Sequence, residues 1–481
     1  MLKKNIIKIW RFMGVLIFLG MLSWASTRCQ KPETGDNATL SFSTTTLTFD
    51  TVFTTLNSSV RRLVVYNPHR FEIKTLIGLA GGKQSRYNVN VDGEPLPLEG
   101  NKEFTILPRD SIFIFVKVNI APGSQNLPFL ITDSLIFKTG TVVQDIDLLA
   151  YGQDAYFHVA DPSTGYCIVA RENETTCWQN DKPHVIYGAA VVDSMGTLLV
   201  NPGTRVYLHQ NGRLWVYRYG SLQVNGTADD PVRFQGDRLE HGFENDYAQW
   251  DRIWINESPR NNYIHYAVIQ NAFVGIQVEP LFEVISNENR IENTIIKHCA
   301  HTGLIGRAAN VVVLNSLISR CGVANVQLCA GNFLLNHVTI GKYYSSGTNS
   351  GPAMLLSNYY EYAQVEGNNV VYQTISGNTS VSVLNSIIYG YNGNELVVQK
   401  KDNVSMEWNF ECCLLKKENE DAGHFVQCLF NKDPLFADLS KEDYTLKAGS
   451  PLIGKGKSTN LTTDLNGKTR KSPPDIGAFE Y

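Results

Sequence analysis

The sequence predicts an all-β chain, a parallel β-helix preceded by an immunoglobulin-like β-sandwich. Three observations lead there. Gly, Pro, Asn, Ser and Thr are spread along all 481 residues, which suits many short strands joined by turns better than long helices. Six apolar segments between residues 264 and 415 repeat one pattern at a near-regular step. Upstream of residue 152, roughly seven short strand-like runs alternate with turn signals, the spacing of a sandwich.

The elements follow in order. Lys3, Lys4, Lys8 and Arg11 precede an apolar run from Phe12 to Trp24, 13 residues long. That is shorter than the ~20 residues a bilayer-spanning helix needs, so the run reads as a signal peptide. The small residues Ala25, Ser26 and Thr27 follow, then Arg28 and Cys29. A cysteine directly after a signal segment resembles a bacterial lipoprotein site. The resemblance implies that residues 1–28 are removed, that Cys29 carries lipid, and that polar residues 29–37 tether the protein to the membrane. Export would place the other cysteines in an oxidising compartment. None has the CxxC spacing of a metal site.

Residues 38–152 form the expected sandwich. Leu47-Thr48-Phe49, Arg62 to Tyr66, Tyr87 to Val91, Ile112 to Val118, Leu135 to Phe137 and Ile146 to Ala150 are its strand signals. Asn67-Pro68 and Asp92-Gly93 mark turns.

Residues 153–430 form the expected solenoid, its repeat legible from about residue 185. The third residues of the six aligned segments are Tyr266, Asn293, Asn315, Asn336, Asn385 and Cys412, at steps of 27, 22, 21, 49 and 27. A step near 22 is one coil, and 49 is two coils with an insertion. The recurring Asn293, Asn315, Asn336 and Asn385 resemble a structural asparagine ladder, with amides bonded from coil to coil. Residues 237–250 and 343–375 break the period and read as projecting loops.

Residues 431–481 contain Asn431-Lys432-Asp433-Pro434-Leu435-Phe436, Tyr444-Thr445-Leu446, Ser450-Pro451-Leu452-Ile453-Gly454, Asp464-Leu465-Asn466-Gly467 and Asp475-Ile476-Gly477-Ala478-Phe479-Glu480-Tyr481. Their order resembles the closing segment of right-handed parallel β-helix surface lipoproteins of Bacteroidetes, the choice-of-anchor Q type. The resemblance implies a right-handed helix and a lipid-anchored place at the outer membrane, and the rung alignment makes Asp475 to Tyr481 the strand that finishes the solenoid and covers its open end. The resemblance implies no reaction.

Composition and motifs narrow the function. Net charge is −4 with no basic tract beyond the N-terminus, which excludes nucleic acid as an expected partner. There is no phosphate loop, HExxH or GxSxG, and no metal or cofactor is expected. Two places after the repeat's last isoleucine stand Asn271, His298 and Arg320, with Lys342 at the matching place. Stacked as a column, the basic residues could hold an acidic glycan or serve a polysaccharide lyase, with His301 and Arg307 extending the patch; as turn residues they would only line a solvated edge. In the next column, Cys299 and Cys321 could form a disulfide or remain buried thiols. Tyr343, Tyr344, Tyr359, Tyr360 and Tyr362 form a candidate aromatic platform for sugars, or a pin for the inserted loop. Asp251 is a candidate carboxylate without a clear second acid, as a glycosidase would require. The leading expectation is therefore polysaccharide or glycan binding without catalysis. A lyase or hydrolase, and a structural envelope protein, are the alternatives.

Overall fold

The computed structural model describes residues 37–53, 60–119, 129–239, 242–284, 287–343, 351–366, 369–418 and 423–481. The signal segment, Cys29, most of the tether and Tyr344 lie outside them. Among the described residues the regular structure is strand, with two short 3-10 turns at Gly82–Gln84 and Leu439–Lys441. One compact unit ends at Gly152 and the other runs from Gln153 to Tyr481.

The first unit is two five-stranded antiparallel sheets. Ser111–Val118 shows why it folds so: Ile112, Ile114, Val116 and Val118 are buried, while Phe113 and Phe115 between them are exposed. The period of two puts one face of the strand into the core. There Leu63, Val65 and Ile114 of one sheet share a cluster with Ile77, Phe137 and Ile146 of the other. The short pieces Ser41–Phe42 and Glu94–Pro95 and the strand Lys102–Ile106 bring the strands beyond the seven expected.

The second unit is a parallel β-helix. Three parallel sheets of eleven, nine and ten strands run along it, and the chain visits them in rotation. We call them the first sheet (with Ile295–Lys297, Leu317–Ser319 and Thr339–Lys342), the second (Ile253–Ile255, Val274–Val278 and Thr302–Arg307) and the third (Glu288–Glu292, Asn310–Leu314 and Asn332–Asn336). Coil stacks on coil in register, so like residues form columns: Ile296 pairs with Ile318, Ile318 with Ile340, and Ile340 with Ile388. These four side chains are wholly buried in one continuous core. Each such burial contributes roughly 1.5–3 kcal/mol relative to exposure. The first coil starts at Tyr156–Val159, earlier than the repeat is legible.

The corner between the third and first sheets explains the recurring asparagines. Tyr266, Asn293, Asn315, His337, Asn385 and Cys412 all have positive φ, between 45° and 55°. Asparagine tolerates this left-handed conformation better than most residues. Asn315 Nδ2 donates to Asn293 Oδ1 at 2.6 Å, which is the ladder. Asn336 requires a correction. Leu314 pairs with Asn336, and Asn336 with Leu384, so this rung is displaced by one and His337 occupies the corner. Asn336 touches the ladder only from the side, accepting from Asn385 Nδ2 at 3.3 Å.

The closing segment also departs from expectation. Asp475 to Tyr481 forms no strand and does not cap the open end. It lies with the rest of residues 431–481 across the outer face of the first sheet. Leu317, Ile387 and Leu414 point outward there and share a cluster with Phe436, Tyr444, Leu452, Ile476 and Phe479. The physical reason is the first sheet itself, apolar on both faces over these coils. Gly341 admits the Tyr444 ring, since a Cβ there would meet Tyr444 Cε1 at 2.5 Å. Gly477, with φ of 108°, lies against Ile387 and Thr339.

Polar bonds lock the segment. Asp475 accepts from Gly454 N at 2.6 Å and Tyr481 N at 2.7 Å, and Asp464 accepts from Glu480 N at 2.8 Å. Arg470 pairs with Glu480 at 3.4 Å with both side chains buried, and it donates to Asn315 Oδ1 at 2.6 Å. The closing segment is therefore bonded into the asparagine ladder.

Candidate functional site

The basic column exists but is closed. His298 and Arg320 sit at left-handed corner positions, with φ of 52° and 51°, on successive coils. Glu442 of the closing segment reaches both. Its Oε1 lies 2.6 Å from His298 Nε2 and 3.3 Å from Arg320 Nε, and its Oε2 lies 2.7 Å from Lys297 Nζ. Burial alone would raise this carboxyl, but the hydrogen bonds and charges of His298 and Lys297 outweigh it and hold it at about 2. Lys342 is buried and donates to the carbonyls of Cys321 and Gly322. The glycan-binding or catalytic role expected of these residues is thus displaced: Glu442 fills the place an acidic ligand would take at His298 and Arg320, and backbone carbonyls hold the Lys342 ammonium. Cys299 and Cys321, one column on, are free buried thiols.

Other candidates converge elsewhere, on the outer face of the second sheet. A cleft of about 620 Å³ lies there, with Arg213, Arg252, Trp254, Glu279 and Arg307 on one side and Tyr360, Tyr362 and Gln373 on the other. The floor is built by register. Arg213–Val216, Ile253–Ile255, Val274–Val278 and Thr302–Arg307 are neighbours in that order, so their outward residues stack. Trp215 and Trp254 stack at 5.0 Å and 15°. Of the two, Trp254 lines the cleft, with one face covered by Trp215.

One wall is a hairpin, Tyr359–Glu366 paired with Asn369–Ser376, where the sequence led us to expect a loop. Asn358 fixes its root, donating to Lys401 O at 2.8 Å and accepting from Lys401 N at 2.8 Å. Tyr360 packs on Cys329 and Ala330, with the Arg307 guanidinium 5.3 Å over its ring. Tyr362 lies two residues on, on the same face and 52% exposed, so its ring remains available to a ligand. Lys401 sits 4.3 Å over Tyr359. The expected platform is therefore divided: Tyr359 and Tyr360 pin the hairpin, and Tyr362 faces the cleft. Tyr343 belongs to neither, being buried against Phe436 and Tyr444 of the closing segment.

The carboxylates at the cleft are held by arginines. Asp251 Oδ2 is 3.1 Å from Arg213 Nε, and its Oδ1 accepts from Arg252 Nε at 2.9 Å. Arg252 also donates to Gln277. Glu279 accepts from Trp254 Nε1 at 3.1 Å and Arg307 Nη1 at 3.2 Å. Each carboxylate is thus matched to a guanidinium. His301 packs against Phe273 with ring centres 5.4 Å apart and planes tilted by 41°, and it meets Thr302 Oγ1 at 2.9 Å. Burial first, and then the charges of Arg252 and Arg307, lower its pKa, so the imidazole is neutral at neutral pH.

Arg213, Arg252, Trp254, Gln277 and Glu279 did not stand out in the sequence. A signal existed: Leu214-Trp215-Val216 and Ile253-Trp254-Ile255 are matching triplets. The irregular stretch between them hides their common register. Among the described residues, no group of three or more His, Cys, Asp or Glu side chains is placed to hold a metal ion.

No family model and no curated protein matches the chain. Among solved structures, a family 123 glycoside hydrolase from Clostridium perfringens aligns at 10% identity and a TM-score of 0.17, covering 24% of this chain and 26% of its own. The ASH/PapD-like domain of human CEP192 aligns at 9% identity and a TM-score of 0.17, covering 24% of this chain and 84% of its own. The chain thus spans about a quarter of the hydrolase. Likenesses this slight carry no argument.

Proposed function

We propose that this chain is a lipid-anchored surface protein of the outer membrane that binds extended glycans through the cleft on the second sheet, without catalysis. One observation supports the reading above others: an elongated cleft walled by a projecting hairpin combines the exposed Tyr362 ring with amide and guanidinium side chains. A flat ring suits a sugar face, and planar amides and guanidinium groups suit hydroxyls and acidic substituents. The carboxylates Asp251 and Glu279 are held by arginines, an arrangement suited to orientation rather than to acid catalysis. The lipid anchor rests on Cys29 and its flanks, and the outer-membrane location on the resemblance of the closing segment.

A polysaccharide lyase is the second reading. His301 favours it, as an imidazole kept neutral by burial and by the positive charges of Arg252 and Arg307, since a neutral base and a charge neutraliser are what proton abstraction next to a carboxylate requires. A glycan array probed with residues 30–481, followed by ultraviolet detection of unsaturated products, separates the readings. Binding that falls at least tenfold in Tyr362→Ala, with no product, supports the first. Product that disappears in His301→Ala establishes the second. No binding by folded protein rejects both.

A further inference from the structure

We infer that the ligand of this cleft is an anionic linear polymer, one carrying carboxylate or sulfate groups along its chain. The inference rests on the cleft being the glycan site. It starts from guanidinium groups that are only partly used. Arg213 meets Asp251 through Nε, Arg252 uses Nε and Nη1 on Asp251 and Gln277, and Arg307 uses Nη1 on Glu279. Among the described residues, no hydrogen-bond or ion-pair partner meets the two Nη groups of Arg213, Nη2 of Arg252 or Nη2 of Arg307, although the Arg307 guanidinium also lies over the Tyr360 ring. Three guanidinium groups thus face two carboxylates, which leaves the cleft one positive charge in excess.

Arginine suits this task because its planar fork accepts a carboxylate or sulfate on two nitrogens at once, and because it stays charged at any physiological pH. Asp251 and Glu279 hold the inner edges of the forks and so fix the direction of the outer ones.

The register supplies the reach. The arginines stand on the first, second and fourth of four consecutive coils of the second sheet. Arg213 and Arg252 share one column, whereas Arg307 lies four residues across the sheet in the column of Glu279, so three axial steps of ~4.8 Å combine with about 13 Å along the strands into a diagonal floor roughly 19 Å long, room for several sugar units. The hairpin runs beside this floor and presents Tyr362, directly opposed across its strands to Gln373, to the chain. A linear polymer fits between floor and hairpin, where Trp254, its face covered by Trp215, favours lateral contact over capture of a single ring.

The test is affinity electrophoresis of the folded ectodomain in gels containing polygalacturonate, alginate, dextran sulfate, unmodified dextran or xylan. The expected result is retardation by an anionic polymer at least tenfold stronger than by the neutral ones. It should weaken as salt rises from 50 to 500 mM and be lost in Arg213→Gln, whose half-exposed side chain leaves the fold intact by its melting temperature. Uronate and sulfate arms identify the source of the charge, and retardation by either one upholds the inference. Equal binding to neutral polymers, unchanged by Arg213→Gln but lost in Tyr362→Ala, overturns it and leaves the glycan reading standing. Retardation by none of the five overturns both.

Discussion

Glu442 shows how one side chain changes the meaning of a motif. His298 and Arg320 read as a ligand site only while their counter-charge lies out of sight, more than a hundred residues downstream. Because its folded pKa of about 2 lies below the ordinary carboxylate value, Glu442 contributes stability that is fully present above about pH 4.5 and is lost as pH falls towards 2. Glu442→Gln should therefore cost about 2–3 kcal/mol at pH 7, since it leaves partly buried cations without a counter-charge. It should also flatten the stability curve between pH 5 and pH 2, as read by urea denaturation. An unchanged acid limb would remove the clamp role. Arg470 is a stricter case. Its partner Glu480 is fully buried, so Arg470→Ala should cost about 3–5 kcal/mol in the same assay. Arg470→Lys should recover only part of that loss, because lysine cannot bond Glu480 and Asn315 together in the same plane.

At the scale of elements, corners and columns were legible where the coil length was constant. Asn293, Asn315 and Asn385 hold the places the spacing gave them, because a left-handed corner and a stacked amide both favour asparagine. Asn336 was misplaced by one residue because asparagine stands beside a histidine that can take the same corner, and only strand pairing distinguishes them. The hairpin was hidden for a related reason: it pairs with itself and so carries no trace of the repeat. Its independence leads to a prediction. Replacing residues 360–375 by a short Gly-Ser turn should leave the melting temperature of the solenoid within a few degrees, while glycan binding falls at least tenfold. Collapse of the fold on this replacement would show the hairpin to be structural, and unaltered binding would remove it from the site.

At the scale of the molecule, the closing segment is a lateral cover rather than an end cap. Removing residues 431–481 would expose Leu317, Ile387 and Leu414 together on one strip of the first sheet. Apolar strips of that kind drive association. The truncated chain should aggregate, or bind a dye for exposed apolar surface, as followed by light scattering and dye fluorescence. A soluble monomer that binds no dye would refute the covering role.

By itself the sequence determined the all-β class, the coil length, the inward columns and the composition of the closing segment, because these follow from local periodicity and from residues that favour particular corners. Tertiary structure alone decided which outward residues meet. Arg213, Asp251, Arg252, Glu279 and Arg307 are brought together by coils stacked across an irregular insertion, and Glu442 is brought to the basic column by a segment folded back along the helix. Those contacts depend on how many residues each coil contains and on where the chain returns. These are long-range sums that no local pattern records.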